Sequence, residues 1–304
     1  MSKPKKQFDL IQRGEKRPTP AGTLTFIGLR LADIPLQYAL LSPDAASGLG
    51  IRLLTALGIR TVFTHASTSV PASLLLTISD LASPRGWGWG WLSALARLTP
   101  SGLLLLLMSA GSAAKQIYWQ TGLSQESFPP GAAAAVSAYN TVVNGANALL
   151  FLALATTSLR SRPQVAFPLP LSADHSSTTA GVVALPLSTV VGALLYVLGM
   201  WIETASEHQR AVFKSRPENQ GKVCKEGLWR WARHINYFGY ALWRGGYCMV
   251  GSGWIGGIAM GLWQGWDLSQ RAANVLDEYC SNRYKEQWVQ FKKEVPYRII
   301  PGVY

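Results

Sequence analysis

The sequence predicts an all-α fold: a polytopic bundle of about seven transmembrane helices, closed by a cytosolic C-terminal cap. Three observations lead there. Of 304 residues, 48% are hydrophobic and only 14% charged, against about 25% charge in soluble domains. Several windows stay apolar over the roughly 20 residues that a helix needs to cross a bilayer. The basic residues, which carry the formal net charge to +12, border those windows as cytosol-facing loops do.

Residues 1–20 form a polar, basic tail with Lys3, Lys5, Lys6, Arg13, Lys16 and Arg17. No apolar stretch of the kind a cleaved secretory signal needs precedes residue 21, so insertion is expected to start from an internal helix. Residues 21–198 hold apolar windows at 22–41, 51–66, 69–84, 87–110, 132–158 and 181–202, and a seventh follows at 237–263. The second and third are short and joined by His65-Ala66-Ser67-Thr68, which suits tilted helices or a hairpin that enters the bilayer only partway. The tract Gly86-Trp87-Gly88-Trp89-Gly90-Trp91 reads as an aromatic belt at headgroup depth. Phe128-Pro129-Pro130-Gly131 separates two helices, and Ser158 to Ser177, with Pro163, Pro168 and Pro170, reads as a linker. The seventh window is rich in glycine, and Gly251 and Gly253 mark where it is expected to bend.

Charges inside apolar windows are costly and each needs a partner. Arg30 and Asp33 stand three apart, share a helix face and neutralise one another. Asp80 and Arg97 lie near predicted helix ends, within reach of water. Because the basic residues are accounted for by membrane orientation, no nucleic-acid partner is expected. Cys224, Cys248 and Cys280 form no CxxC pair, so neither a disulfide framework nor a metal site is expected.

Residues 199–304 carry the chemistry. Glu203, Glu207, Arg210 and Lys214 follow one another at spacings of four, three and four, which puts them on one side of a helix. Such a stripe can hold a polar ligand, or can merely pair along a solvated helix. Directly before the glycine-rich window, Arg233, His234, Asn236 and Tyr237 fall within five residues. They offer a guanidinium suited to phosphate, an imidazole, an amide suited to an amide or ribose edge, and a phenol.

Three blocks together carry a resemblance: the stripe from Glu203 to Lys214; Gly227-Leu228-Trp229 with Ala232-Arg233-His234-Ile235-Asn236-Tyr237-Phe238-Gly239; and the ending Val295-Pro296-Tyr297-Arg298-Ile299-Ile300-Pro301. They resemble the steroid 5α-reductase and sterol reductase membrane superfamily over about a third of the chain. The resemblance implies NADPH bound from the cytosolic side by a C-terminal cofactor-binding region. It further implies reduction of a carbon-carbon double bond in a sterol, steroid or other terpenoid-like lipid. The implied setting is a multi-pass protein of the endoplasmic reticulum, with the bilayer and a hydrophobic small molecule as partners. By position, Glu203, Glu207 and Lys214 match cofactor contacts on the first helix. Arg233, His234, Asn236 and Tyr237 match the motif that grips the dinucleotide, and Tyr284 matches a tyrosine of the closing segment. Hydride delivery builds negative charge on the substrate, so a donor must stabilise it and supply a proton; Tyr237 or Tyr240 is positioned for this in the sequence. Tyr240 stands where the family usually has an acidic residue, Glu207 where aspartate is common, and Leu276-Asp277-Glu278-Tyr279-Cys280 where an arginine-aspartate pair is usual. Two alternatives follow. One is a non-catalytic lipid-binding or scaffold protein on the same fold. The other is an isoprenylcysteine-type methyltransferase using S-adenosylmethionine and an Arg-His-Pro-x-Tyr motif, against which Ile235 and the Val-Pro-Tyr-Arg ending argue.

Overall fold

A proline at the first helical position loses no hydrogen bond, because that N–H has no intrahelical partner. Three long helices begin this way: α1 (Pro20–Leu41), α3 (Pro100–Tyr118) and α4 (Pro130–Leu152). In α3, the Thr99 hydroxyl accepts a hydrogen bond from the Gly102 N–H at 3.1 Å, and the helix runs on into a π-turn at Trp119–Leu123. The computed structural model describes residues 16–43, 48–62, 95, 97–124, 126–160, 163–169 and 181–304. Between the long helices lie α2 (Leu49–Ala56) and α5 (Leu154–Arg160). The C-terminal part consists of α6 (Leu187–Ser215), α7 (Ile235–Asp267), α8 (Ala273–Tyr284) and α9 (Glu286–Glu294).

Several expectations change here. The fold is not purely α: β1 (Gln164–Leu169) pairs antiparallel with β2 (Gly181–Pro186), with Gln164 opposite Pro186 and Leu169 opposite Gly181. The presumed linker therefore holds a strand, and the window at 181–202 starts as one. Its Val182 and Val183 suit a pleated ladder, and the helix begins only after Pro186. The window at 132–158 is cut at Ala153, whose backbone turns extended to bridge Thr61. Among its described residues, the second window yields the eight-residue α2, ended at Gly58 with φ +71°, a conformation that glycine adopts without strain. The windows at 69–84 and the first part of 87–110, with the Gly-Trp tract, His65 and Asp80, lie outside the described residues. Among the described residues, two helices, Pro20–Leu41 and Leu187–Ser215, are long and apolar enough to cross a membrane by composition.

The bend expected in α7 falls at Gly253, whose φ of 74° and ψ of −165° interrupt the helix. The bundle has an apolar core, yet it also carries large apolar residues on its outside and charges within. Leu24, Val142, Leu194 and Leu262 are 65–70% exposed, while Arg30 and Arg244 are fully buried. Hydrocarbon solvates the outer leucines and cannot solvate a guanidinium, which drives this arrangement.

The tightest packing lies between α6 and α7, which run antiparallel with glycine facing glycine. A Cβ on Gly199 would lie 2.5 Å from the Gly239 carbonyl oxygen, and one on Gly246 would lie 2.4 Å from that of Gly192. Small residues that let two backbones touch are what hold helices together where lipid removes the hydrophobic driving force. Gly199→Leu should separate the two helices and lower stability by at least about 2 kcal/mol, as overpacking against rigid backbone does. The test is the thermal midpoint of monodisperse protein, with the same substitution at Gly28, whose Cβ would meet nothing within 4 Å, as the neutral control.

Candidate functional site

The α6–α7 pairing decides which polar groups meet. Glu207, one turn beyond Glu203 on α6, accepts a hydrogen bond from Asn236 Nδ2 at the start of α7 at 2.7 Å, and one from Arg210 Nη2 at 2.6 Å. Asn236 Oδ1 is buried and has no hydrogen-bond partner among the described residues. A buried acceptor without a partner is costly, so this atom is suited to a ligand N–H or O–H. Lys214, at the far end of the stripe, donates to the Tyr284 hydroxyl at 2.9 Å and lies 4.7 Å from the centre of its ring. The stripe therefore does more than pair along its own helix: Glu203, Glu207 and Lys214 each reach a different element.

Arg233 and His234 hold the C-terminal segment against α7. Arg233 Nη1 donates to the carbonyls of Val295 and Pro296 at 2.7 and 2.8 Å. The backbone N–H groups of Arg233 and His234 donate to Tyr297 and Arg298 carbonyls at 3.0 and 2.9 Å. His234, buried, stacks on Tyr237 with ring centroids 5.4 Å apart and planes at 10°. Trp288 stands tilted at 58° to the imidazole, 6.4 Å away, and donates its indole N–H to Asp277 at 2.8 Å. Partial burial raises the Asp277 carboxyl, but hydrogen bonds from Lys292 and Trp288 outweigh it and hold the group below its ordinary value of 3.8.

Tyr240 lies on the inner side of α7. Its hydroxyl accepts from Arg244 Nη2 at 3.3 Å, and it belongs to a network that composition alone does not reveal. Arg244 also donates to Asn140 Oδ1 at 2.5 Å and to Asn144 Oδ1 at 3.4 Å, and Asn144 Nδ2 donates to Asp33 at 2.8 Å. The expected Arg30–Asp33 pair is present at 3.0 Å, fully buried, with Gln37 as a further donor to Asp33 at 2.9 Å. Glu203 faces the same interior: it forms an ion pair with Lys115 and accepts from the Trp243 indole at 2.6 Å. Neither Arg244 nor Lys115 stands out in the sequence motifs; Arg244 is a charge inside the seventh apolar window, whereas Lys115 falls just beyond the fourth. Arg97 is exposed, as its position near a helix end suggested. Among the described residues, no group of His, Cys, Asp and Glu could hold a metal ion.

Fold and site define a helical membrane protein whose C-terminal third carries a polar clamp at the end of a close helix pair. Residues 150–293 match a family described as proteins of unknown function, DUF1295. A Delta(14)-sterol reductase of Neurospora crassa is 30% identical over 159 residues, covering 38% of this chain and 32% of that protein. The chain thus spans about a third of the length of the curated sterol reductases it matches. A probable O-methyltransferase of Ustilaginoidea virens is 28% identical over 91% of this chain and 84% of its own length. The protein-S-isoprenylcysteine O-methyltransferase of Saccharomyces cerevisiae is 23% identical over 37% of this chain and 48% of its own length. The C-terminal part of the chain is thus similar to the sterol reductases and to the DUF1295 family.

The depressed carboxyl of Asp277 adds stability that is fully present above its unfolded value and lost as the pH falls through the lower folded value. Asp277→Asn should therefore lower the thermal midpoint at pH 7. The deficit should shrink once the pH drops below 3.8, which thermal scans of both proteins over pH 3–7 would show.

Proposed function

We propose that the protein is an NADPH-dependent membrane reductase acting on a carbon-carbon double bond of a sterol, steroid or other terpenoid-like lipid. The observation that carries this reading is the Glu207–Asn236 pair, which leaves Asn236 Oδ1 buried and unmatched in a motif similar to that of the sterol reductases. The bundle that houses it is read as multi-pass, of about seven spans, in the endoplasmic reticulum membrane, with the C-terminal cap in the cytosol.

The residues suited to holding NADPH are Asn236 for a carboxamide or ribose donor, Arg233 and Lys214 for anionic groups, and Tyr237 and Tyr284 as flat surfaces against which rings pack, with buried His234 backing Tyr237. When bound, NADPH supplies the two electrons of the reduction as hydride. Glu207 orients Asn236 by accepting from its Nδ2, so the remaining amide oxygen keeps one direction. Tyr240, held on Arg244, is the proton donor in this reading. Its place beside a buried guanidinium gives negative charge developing on the substrate a compensating neighbour. Tyr237 is committed to the stack on His234, which makes it the weaker candidate for proton transfer. The bundle excludes bulk water from this side of α7.

A second reading rests on one specific observation: the match to the probable O-methyltransferase runs over nearly the whole chain. In that reading the clamp takes S-adenosylmethionine and the product is methylated. The two readings separate in a binding assay on the full chain in detergent. NADPH should raise the thermal midpoint and S-adenosylmethionine should not; the reverse result would overturn the reductase. Asn236→Ala should weaken NADPH binding about tenfold or more, as loss of a buried amide contact does, with the folded yield unchanged.

A further inference from the structure

A second polar feature lies apart from the clamp. Between α1, α3, α4 and α6 is a cavity of about 170 Å³. Its walls are aromatic: Phe26 and Phe128 pack edge to face at 5.4 Å, and Trp119 stands beside them. Its polar side consists of Lys115, Gln116 and Glu203. The ammonium and carboxylate of the Lys115–Glu203 pair are only 9% and 14% exposed. Gln116 donates its Nε2 hydrogen to Asn140 Oδ1 at 3.0 Å, while its Oε1 is buried and has no hydrogen-bond partner among the described residues.

Size and polarity each constrain the occupant. An apolar cavity of about 150 Å³ accepts one benzene ring, and pockets for larger ligands run to about 300–1,000 Å³. The space here is therefore that of a single ring. Lys115 has three N–H donors and no acceptor, while Gln116 Oε1 lacks a donor. A group that satisfies both must accept one hydrogen bond and donate another, which a hydroxyl does and a carbonyl or ether does not. Aromatic walls favour a flat ring to carry it.

We propose that this cavity binds a single hydroxylated ring, a phenol or a phenol-like terminal ring of a larger molecule. Lys115 donates to the hydroxyl oxygen, and the hydroxyl proton goes to Gln116 Oε1. The site does not depend on which cofactor the clamp takes. Glu203 reaches the neighbourhood of α7 through the Trp243 indole, so the ring sits one helical turn along α6 from the clamp residue Glu207.

The test uses the full chain in detergent micelles without cofactor, with 4-fluorophenol read by fluorine NMR and empty micelles as the partitioning blank. Fluorobenzene, without the hydroxyl, and 4-fluoroanisole, which accepts but cannot donate, serve as size-matched comparisons. Saturable binding of 4-fluorophenol about tenfold tighter than either comparison is expected for a charge-assisted hydrogen bond with a second polar contact. Gln116→Leu, which keeps the ion pair, should bring 4-fluorophenol down to the level of 4-fluoroanisole. Lys115→Met combined with Glu203→Gln removes both charges together, so neither is left buried alone, and should make all three probes equivalent. Equal affinities in the unaltered protein, no saturable signal above empty micelles, or an unchanged preference in Gln116→Leu would each overturn the proposal. None of these outcomes bears on NADPH binding, which is read separately.

Discussion

The contact between the backbones of α6 and α7 is the constraint on which the rest of the C-terminal region depends. Gly192 lies against Gly246 and Gly199 against Gly239, so closely that no side chain fits between them. With the axes pinned at two points seven residues apart on each helix, neither can slide or rotate, and the residues just beyond the glycines are placed by consequence. Glu207 falls opposite Asn236, and Glu203 falls opposite the indole of Trp243. In water, a larger apolar interface could do this work; in lipid, close van der Waals contact must.

The same solvent argument explains the interior. A buried charge needs partners, and the described bundle gathers its polar side chains beside an apolar core that includes Leu40, Leu41, Leu105, Leu152 and Val250. The result is a continuous network from Gln37 through Asp33 and Asn144 to Arg244 and Tyr240. Arg30 pairs with Asp33, while Arg244 is held by the amides of Asn140 and Asn144 and reaches that carboxylate only through Asn144. Amide dipoles stabilise a buried cation without adding a second charge that would itself need desolvation. Tyr240 fits that pattern: a phenol is a neutral hydrogen-bond partner for Arg244.

Past the membrane bundle, the C-terminal segment is held by a strap. Arg233, through backbone and side chain, and His234, through its backbone, bind residues 295–298, and the contact of Trp288 with the stacked His234–Tyr237 pair ties α7 to α9. The closing segment is thereby fixed beside the first turn of α7, where Tyr284 meets Lys214. Residues 60 or more positions apart in sequence thus form one surface, which is why the Arg-His-x-Asn-Tyr motif and the Val-Pro-Tyr-Arg ending occur together.

Periodicity and local chemistry were enough to read the helical membrane character, α1 with its Arg30–Asp33 pair and the bend near Gly253, because each depends on neighbours within a few turns; Glu207 and Asn236, 29 residues apart, came together only through the family resemblance. Such local signals were not enough for the β-hairpin, whose two strands find each other only across a chain reversal, nor for the cut at Ala153, which answers to Thr61. The partners of Glu203, Tyr240 and Arg244 were likewise out of reach. Helical spacing states which face a residue occupies, but which helix that face meets is decided by the close approach of glycine to glycine. That approach is a property of two backbones packed together and is written in neither helix alone.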